Sequence, residues 1–306
     1  MQDRRVVATA TDYEDFPWPR PPRGTTSPRW VGNGFVTGDN FHRILVFDAA
    51  QSHWSSELTE LHEAEAGSDH PIDRASRRFA VRSLTRYVTH DAPLVLDVGS
   101  SSGYVLAEIR RAVPRARLIA SDYLLRPLER LGERMPSLPI LQFDLRACPL
   151  PDRCVDAVTA LNVLEHIDDD IVALRQIARI LKPGGAAHIE VPAGPALYDI
   201  YDEQLMHHRR YRLNDVTAKA RESGFEILFA THLGFLLYPV FCSIKKRNRR
   251  LLTRPAAEKR TIVARQIRQT SRSRFLDMLL RVEEAVGSAV RLPVGIRCIV
   301  ALRRRA

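Results

Sequence analysis

Cysteine is scarce in this 306-residue chain: Cys148, Cys154, Cys242 and Cys298 are the only four, and no two form a CxxC pair. That excludes a disulfide framework and a cysteine-built zinc site, and makes a reducing compartment, the cytoplasm, the expectation. Long apolar runs are also missing. The longest, Leu233 to Ile244, spans about 12 residues, short of the roughly 20 that a membrane-spanning helix needs. No apolar stretch follows a basic start within the first 35 residues, so no secretory leader is expected. Internal repeats are absent as well. Lysine is rare too: only Lys182, Lys219, Lys245, Lys246 and Lys259 among 46 basic residues, a bias that reads as high-GC coding and a bacterial source.

What the chain does have is a globular composition, 45% hydrophobic and 27% charged, which rules out fibrous, collagenous and wholly disordered classes. Its net charge of +10 is unevenly spread. Residues 243–306 hold 18 Lys and Arg against 4 Asp and Glu, whereas residues 1–242 hold 28 against 32. The basicity therefore belongs to the C-terminal part rather than to the whole surface.

Residues 1–35 carry Pro17, Pro19, Pro21, Pro22 and Pro28 among Arg and Gly, with no helical or alternating period, and are expected to be mostly disordered, with Trp18 and Trp30 available to dock on the domain. Residues 36–90 read as a helical cap. Apolar residues recur at helical steps over Ser52–Ala66 and Asp73–Val88, with a break at His70 and Pro71. The period then changes. Short apolar runs bounded by Gly, Pro or Asp lie at 94–99, 117–122, 139–144, 155–162 and 186–192, alternating with helical segments such as Val105–Val113 and Asp170–Leu181. Such alternation specifies an α/β fold, a doubly wound parallel sheet with helices on both faces. After a helix over Leu213–Ser223, Phe225–Thr231 and residues 296–303 are further strands. The interval between them is too long for a loop and predicts a helical insertion, with a long helix around Phe275–Val290.

The strongest chemical signal is VLDVGSSSGYVLAEI at 95–109: a buried strand ending in Asp97, a turn with Gly99 and Gly103, then a helix. Glycines let a ligand approach the backbone, and the helix N-terminus offers it free amides. Asp122 closes the second strand, where a carboxylate accepts hydrogen bonds from ribose hydroxyls, and Asp144 closes the third. Ser101 stands where a dinucleotide turn has its second glycine, which points to a nucleoside cofactor without a pyrophosphate and away from nicotinamide.

With DVGSSSG at 97–103, SDY at 121–123, FDL at 143–145, ALNVLEHI at 160–167 and LKPGG at 181–185, residues 94–231 resemble the class I S-adenosylmethionine-dependent methyltransferases of type 11 or 12. The resemblance implies a Rossmann-like seven-stranded sheet, mostly parallel with the last strand antiparallel. It divides the chain into a cofactor-binding core at 91–231, a basic, partly apolar helical insertion at 232–295, and a last strand with a basic end at 296–306. It implies S-adenosylmethionine as cofactor and S-adenosylhomocysteine as product. Asp97 and the turn with Gly99, Ser101 and Gly103 would hold the methionine end, Asp122 with Tyr123 the ribose, and Asp144 with Leu145 the adenine. Asn162 would face the methionine, with Glu165 and His166 close behind on the rim.

A second segment, YDIYDEQLMHHRRYR at 198–212, follows the fifth strand and should overhang the cofactor. Methyl transfer to a hydroxyl needs alignment and a proton acceptor. His208 is the first candidate base, then His207, with Tyr211 and His166 nearby. Arg209, Arg210 and Tyr198 are candidate acceptor-binding residues. Trp54, His62, His70 and Arg74 of the N-terminal helices are expected to shape the acceptor site. No metal site is expected, because His207 and His208 are adjacent and no other residues stand at ligand spacing.

The activity expected is O-methylation of a small-molecule biosynthetic intermediate, such as a secondary metabolite, a sugar or a lipid-linked precursor. Residues 232–250 join an apolar run to Lys245, Lys246, Arg247, Arg249 and Arg250, a pattern suited to peripheral contact with an anionic membrane and equally to a lid packing on the core. A nucleic-acid partner is disfavoured: Asn162–Glu165 is not the Asn/Asp-Pro-Pro-aromatic motif of amino-methylating enzymes, and no aromatic residues interleave the charges. The alternative is a noncatalytic cofactor-fold protein or membrane-docked regulator. Oligomeric state is left open.

Overall fold

The computed structural model describes residues 13–22, 24–48, 70–270, 273–287 and 290–305. The helix expected over Ser52–Ala66, with Trp54 and His62, lies outside them. At the centre is strand β5 (Leu94–Val98), buried at every position, as a strand covered by helices on both faces must be. On one side of β5 lie β6 (Arg117–Asp122), β7 (Ile140–Gln142) and the short β4 (Leu45–Val46), all parallel to their neighbours. On the other side lie β8 (Val155–Leu161), β9 (Leu181–Pro192), β11 (Arg297–Arg304) and β10 (Phe225–Leu233). β11 runs antiparallel to both its neighbours, with Cys298 facing Val191 on β9 and His232 on β10. The sheet therefore has eight strands. Seven are those expected, and β4 adds an edge by pairing Leu45 with Leu141.

Because β6 and β8 flank β5 on opposite sides, the strand order reverses at β5, and a crevice opens beyond its carboxyl end. The helices that wrap the sheet are α1 (Pro71–Tyr87), α2 (Tyr104–Ala112), α3 (Leu125–Arg134), α4 (Asp170–Ile180), α5 (Ile200–Gln204) and α6 (Leu213–Glu222). The long interval before β11 holds α7 (Tyr238–Arg249), α8 (Ala256–Thr270) and α9 (Arg274–Gly287). The insertion is docked rather than appended. Leu280 of α9 packs with Ile72 and Phe79 of α1 and Ile299 of β11, and the Arg78 guanidinium of α1 holds the Glu284 carboxylate of α9.

The N-terminal segment departs from expectation. Within 13–35, Tyr13, Trp18, Trp30 and Phe35 are buried in the main core, and β1 (Arg29–Trp30), β2 (Phe35–Thr37) and β3 (Asn40–His42) form a small antiparallel sheet. The Tyr13 hydroxyl donates to Leu118 O (2.7 Å) and accepts from Leu118 N–H (2.8 Å), tying the segment to β6. Phe35 meets Trp18 and Trp30 edge-on at 4.8 and 4.9 Å. Aromatic residues spaced without period gave no signal of order, yet each brings a large apolar area. Residues 36–48 are likewise strand and loop, so the helical part of the expected 36–90 cap is, among described residues, α1.

Trp30→Ala is expected to lower stability by about 3–5 kcal/mol in urea unfolding. A midpoint equal to that of the parent would contradict burial of this segment in the core.

Candidate functional site

The crevice at β5 is built by its turn. Gly99, Ser101 and Gly103 all have positive φ (73°, 40° and 70°), and α2 begins immediately after. A side chain at Gly103 would place its Cβ 2.5 Å from Leu131 Cδ1, so Leu131 would have to shift, and the φ of 70° is itself one that favours glycine. The turn is laced to the end of β6. Ser101 N–H donates to Asp122 Oδ2 (3.0 Å), Ser100 N–H donates to Ser121 O (2.9 Å), and Asp122 Oδ1 accepts from Leu124 N–H (3.0 Å). Gly99, Ser101, Asp122, Tyr123, Asp144, Leu145 and Asn162 consequently line one cavity. Asn162 also has a positive φ (53°), and its N–H donates to Glu190 O (2.9 Å).

Two of the expected cofactor residues do not line that cavity. Gly103 is packed beneath Leu131. Asp97 is buried behind the turn, where its carbonyl accepts from Ser100 Oγ and Ser121 Oγ and its Oδ1 accepts from Thr159 Oγ1 (2.5 Å). Burial pushes the Asp97 carboxyl up to about 7, against the opposing hydrogen bonds from Thr159 and Ser100. Asp97 thus shapes the turn from behind. Asp144 does line the cavity, but Arg146 holds it through its backbone N–H (2.8 Å) and its guanidinium (2.6 Å).

The opposite wall is organised by the buried carboxylates Asp199 and Asp202, which form a reciprocal cap at the start of α5. Asp202 Oδ1 accepts from Arg210 (2.8 Å) and lies 2.9 Å from His207 Nδ1, and its Oδ2 accepts from Lys245 Nζ (2.8 Å). Lys245 also donates to Asp199 Oδ1 (2.6 Å). Burial alone would raise the Asp202 carboxyl, but the hydrogen bond to His207 and the charges of Lys245 and Arg210 hold it well below the usual carboxylate range. Burial lowers His207, and Asp202 offsets only part of that. His166 is driven well down by burial and by His207 and His208 beside it. Both imidazoles are therefore neutral near pH 7.

The segment 198–211 is sorted by these contacts. His207, His208 and Arg210 line the cavity together with Glu165 and His166. His208 is exposed, and its N–H is anchored on Glu165 O (2.8 Å). Tyr211, Arg209 and Tyr198 do not line the cavity. The Tyr211 hydroxyl is buried 3.0 Å from Leu164 O and 2.9 Å from Asp170 Oδ2, which ties it to α4, and burial followed by Asp170 raises its pKa. Arg209 donates to Asp170 Oδ2 (3.1 Å) and Asp168 O (2.7 Å), and Tyr198 donates to His207 O (2.9 Å). Arg210 faces the cavity with its guanidinium already committed to Asp202 and Ala193 O.

Sequence reasoning missed the rest of the lining. Val240, Phe241 and Ile244 of α7 and Leu276, Leu279 and Leu280 of α9 give the far end an apolar wall, while Asp73 and Arg297 meet at its margin. His70 lines the cavity; Arg74 does not and sits 3.8 Å from Asp277. Lys245, expected to face headgroups, is buried. Among the described residues no helix is long and apolar enough to cross a membrane. The whole cavity measures about 1050 Å³.

Residues 96–189 match a family described as a methyltransferase domain. This part of the chain is a class I S-adenosylmethionine-dependent methyltransferase domain. A probable S-adenosylmethionine-dependent methyltransferase of Mycobacterium tuberculosis is 29% identical over 133 residues, 43% of this chain and 48% of that protein. Trans-aconitate 2-methyltransferase of an Azoarcus species is 31% identical over 129 residues, 42% of this chain and 49% of that protein. The chain thus spans about half the length of the curated relatives it matches. Phosphoethanolamine N-methyltransferase 2 of Haemonchus contortus, solved with S-adenosyl-L-methionine, superposes with a TM-score of 0.56 at 13% identity, covering 84% of this chain and 59% of that one. At that identity the likeness establishes the fold. The methyltransferase domain contributes the turn and the ends of β6 and β8, whereas the apolar wall comes from segments outside the family match.

Asp97 titrates near 7 in the fold and near 3.9 in an unfolded chain, so folding favours its protonated form. The stability this group contributes is full below pH of about 4 and lost as pH rises through about 7. Asp97→Asn is expected to flatten the decline of the urea midpoint over that window. An unaltered decline in the variant would place the titrating group elsewhere.

Proposed function

We propose that this chain transfers a methyl group from S-adenosylmethionine to an oxygen of a small biosynthetic intermediate that has an apolar body. The observation that carries the proposal is the single cavity running from the turn at Gly99–Ser101 and Asp122 to the apolar faces of α7 and α9. Its volume of about 1050 Å³ lies at the top of the range for a single ligand, enough for a cofactor and an acceptor side by side. Asp122 would accept the ribose hydroxyls, Leu145 would cover the adenine, and Gly99, Ser101 and Asn162 would face the methionine. The acceptor would enter along Val240 and Ile244, both exposed at the cavity mouth.

In this reading an acceptor oxygen forms a bond to the methyl carbon as the carbon–sulfur bond breaks. The sulfonium leaves as the neutral thioether S-adenosylhomocysteine, and the hydroxyl proton passes to a base. His208 suits that role because it is at the rim and anchored on Glu165 O, while His207 is committed to Asp202. Positioning supplies most of the acceleration. A second reading, a cofactor-bound regulator resting on a membrane, draws on α7 alone, which exposes Val240 and Ile244 beside exposed Lys246, Arg247 and Arg249.

Calorimetry is expected to show one equivalent of S-adenosylmethionine or S-adenosylhomocysteine bound, and Asp122→Ala to weaken it at least about tenfold, the loss of a charge-assisted hydrogen bond or more. Unchanged affinity in a folded Asp122→Ala protein would refute the ribose assignment. Once an acceptor is found, His208→Ala is expected to slow turnover about 100-fold with cofactor affinity intact. Full activity in that variant would remove His208 as the base.

A further inference from the structure

The end of β8 carries a group that the methyl-transfer reading leaves unused. Glu165 is completely buried, and neither carboxylate oxygen has a hydrogen-bond partner. Buried polar groups are nearly always paired, so an isolated carboxylate facing a cavity calls for an explanation. The nearest cations do not provide one. Arg210 is held by Asp202 (2.8 Å), and Arg297 by Glu190 (2.7 Å) and Asp73.

Two imidazoles converge on the same spot. One donor atom each from Glu165, His166 and His207 lies within 4.8 Å of the others, and the two rings meet edge-on at 4.7 Å. His207 Nδ1 sits 2.9 Å from Asp202 Oδ1, and Arg210 (2.8 Å) and Lys245 (2.8 Å) donate to the same carboxylate. A carboxylate placed there accepts a hydrogen bond from Nδ1–H and leaves the Nε2 lone pair free. This is how carboxylates behind metal-bound histidines fix tautomer and ring direction. The backbone holds the set together, since His208 N–H donates to Glu165 O (2.8 Å) and His166 N–H to Val163 O (3.0 Å).

We propose that Glu165, His166 and His207 bind a divalent first-row transition-metal ion, with open coordination positions toward the cavity. Two imidazoles and one carboxylate suit Mn²⁺, Fe²⁺ or Zn²⁺ better than Mg²⁺ or Ca²⁺, which prefer all-oxygen sites. The expectation that the chain has no metal site came from sequence spacing, and spacing does not reveal it because His207 follows β9 whereas Glu165 and His166 follow β8. The ion's role rests on the methyl-transfer reading: it would hold the acceptor oxygen and ease loss of its proton to His208. Its binding does not rest on that reading.

The test uses the full chain without an affinity tag, stripped with chelator and titrated with MnCl₂ by calorimetry and electron paramagnetic resonance. The expected result is one Mn²⁺ per chain, weakened at least tenfold in both Glu165→Gln and His207→Ala. Thermal melts identify folded variants, and His166→Ala replaces either one that fails to fold. No binding to the parent of Mn²⁺, or of Zn²⁺ added in its place, overturns the proposal. Equal Mn²⁺ binding by the parent and the folded variants does so as well. Glu165-dependent Mn²⁺ binding by a protein that ignores S-adenosylmethionine would leave the metal site standing and sink the methyl-transfer reading.

Discussion

The Asp202 carboxylate, buried and gripped by His207, Arg210 and Lys245, is the interaction on which the cavity wall opposite the β5 turn depends. The partners come from two places far apart in the chain. His207 and Arg210 lie in the segment after α5, and Lys245 projects from α7 in the insertion. One charge therefore sets the direction of an imidazole, anchors a guanidinium and clamps a helix that supplies the apolar wall. Buried ion pairs add little net stability, yet removing one partner typically costs about 3–5 kcal/mol because the remaining charge is stranded. A site built this way holds its geometry or is lost, and does not adjust by degrees.

The side of the cavity at the β5 turn follows a different logic. It is made of backbone: a turn with three residues at positive φ, laced to the end of β6 by Ser100, Ser101 and Asp122. The reversal of strand order at β5 opens the crevice, and the turn lines it with amides and short side chains. The proposed division of labour is thus between a general nucleoside site supplied by the sheet and a specific acceptor site supplied by residues inserted after it.

That division explains how far the sequence could be read. The strands from β5 to β9, the turn and Asp122 were legible because each is local: a short apolar run, a Gly-rich turn, an acid at a strand end. The buried place of Asp97 was not, since a residue's distance from a cavity depends on how Thr159 of β8 packs behind it. Tyr211 and Arg209 were read as site residues from their neighbours in sequence, whereas Asp170 of α4 draws both away from the cavity. Lys245 looked like one of a solvated basic cluster, and only the tertiary fold brings it to Asp199 and Asp202. The order of the N-terminal segment was not legible beyond Trp18 and Trp30 as residues able to dock, because burial of Trp18, Trp30 and Phe35 requires no periodicity, only a groove to fill. The convergence of Glu165 and His166 with His207 is of the same non-local kind.

The central claim, that the β5 turn and the ends of β6 and β8 form the site of an S-adenosyl nucleoside, is tested most directly by hydrogen–deuterium exchange with and without S-adenosylhomocysteine. The account predicts protection of the amides around Gly99–Gly103, Asp122–Leu124 and Asn162–His166, where the backbone would meet the ligand. Binding with no protection at the turn, or protection confined to α7–α9, would contradict it.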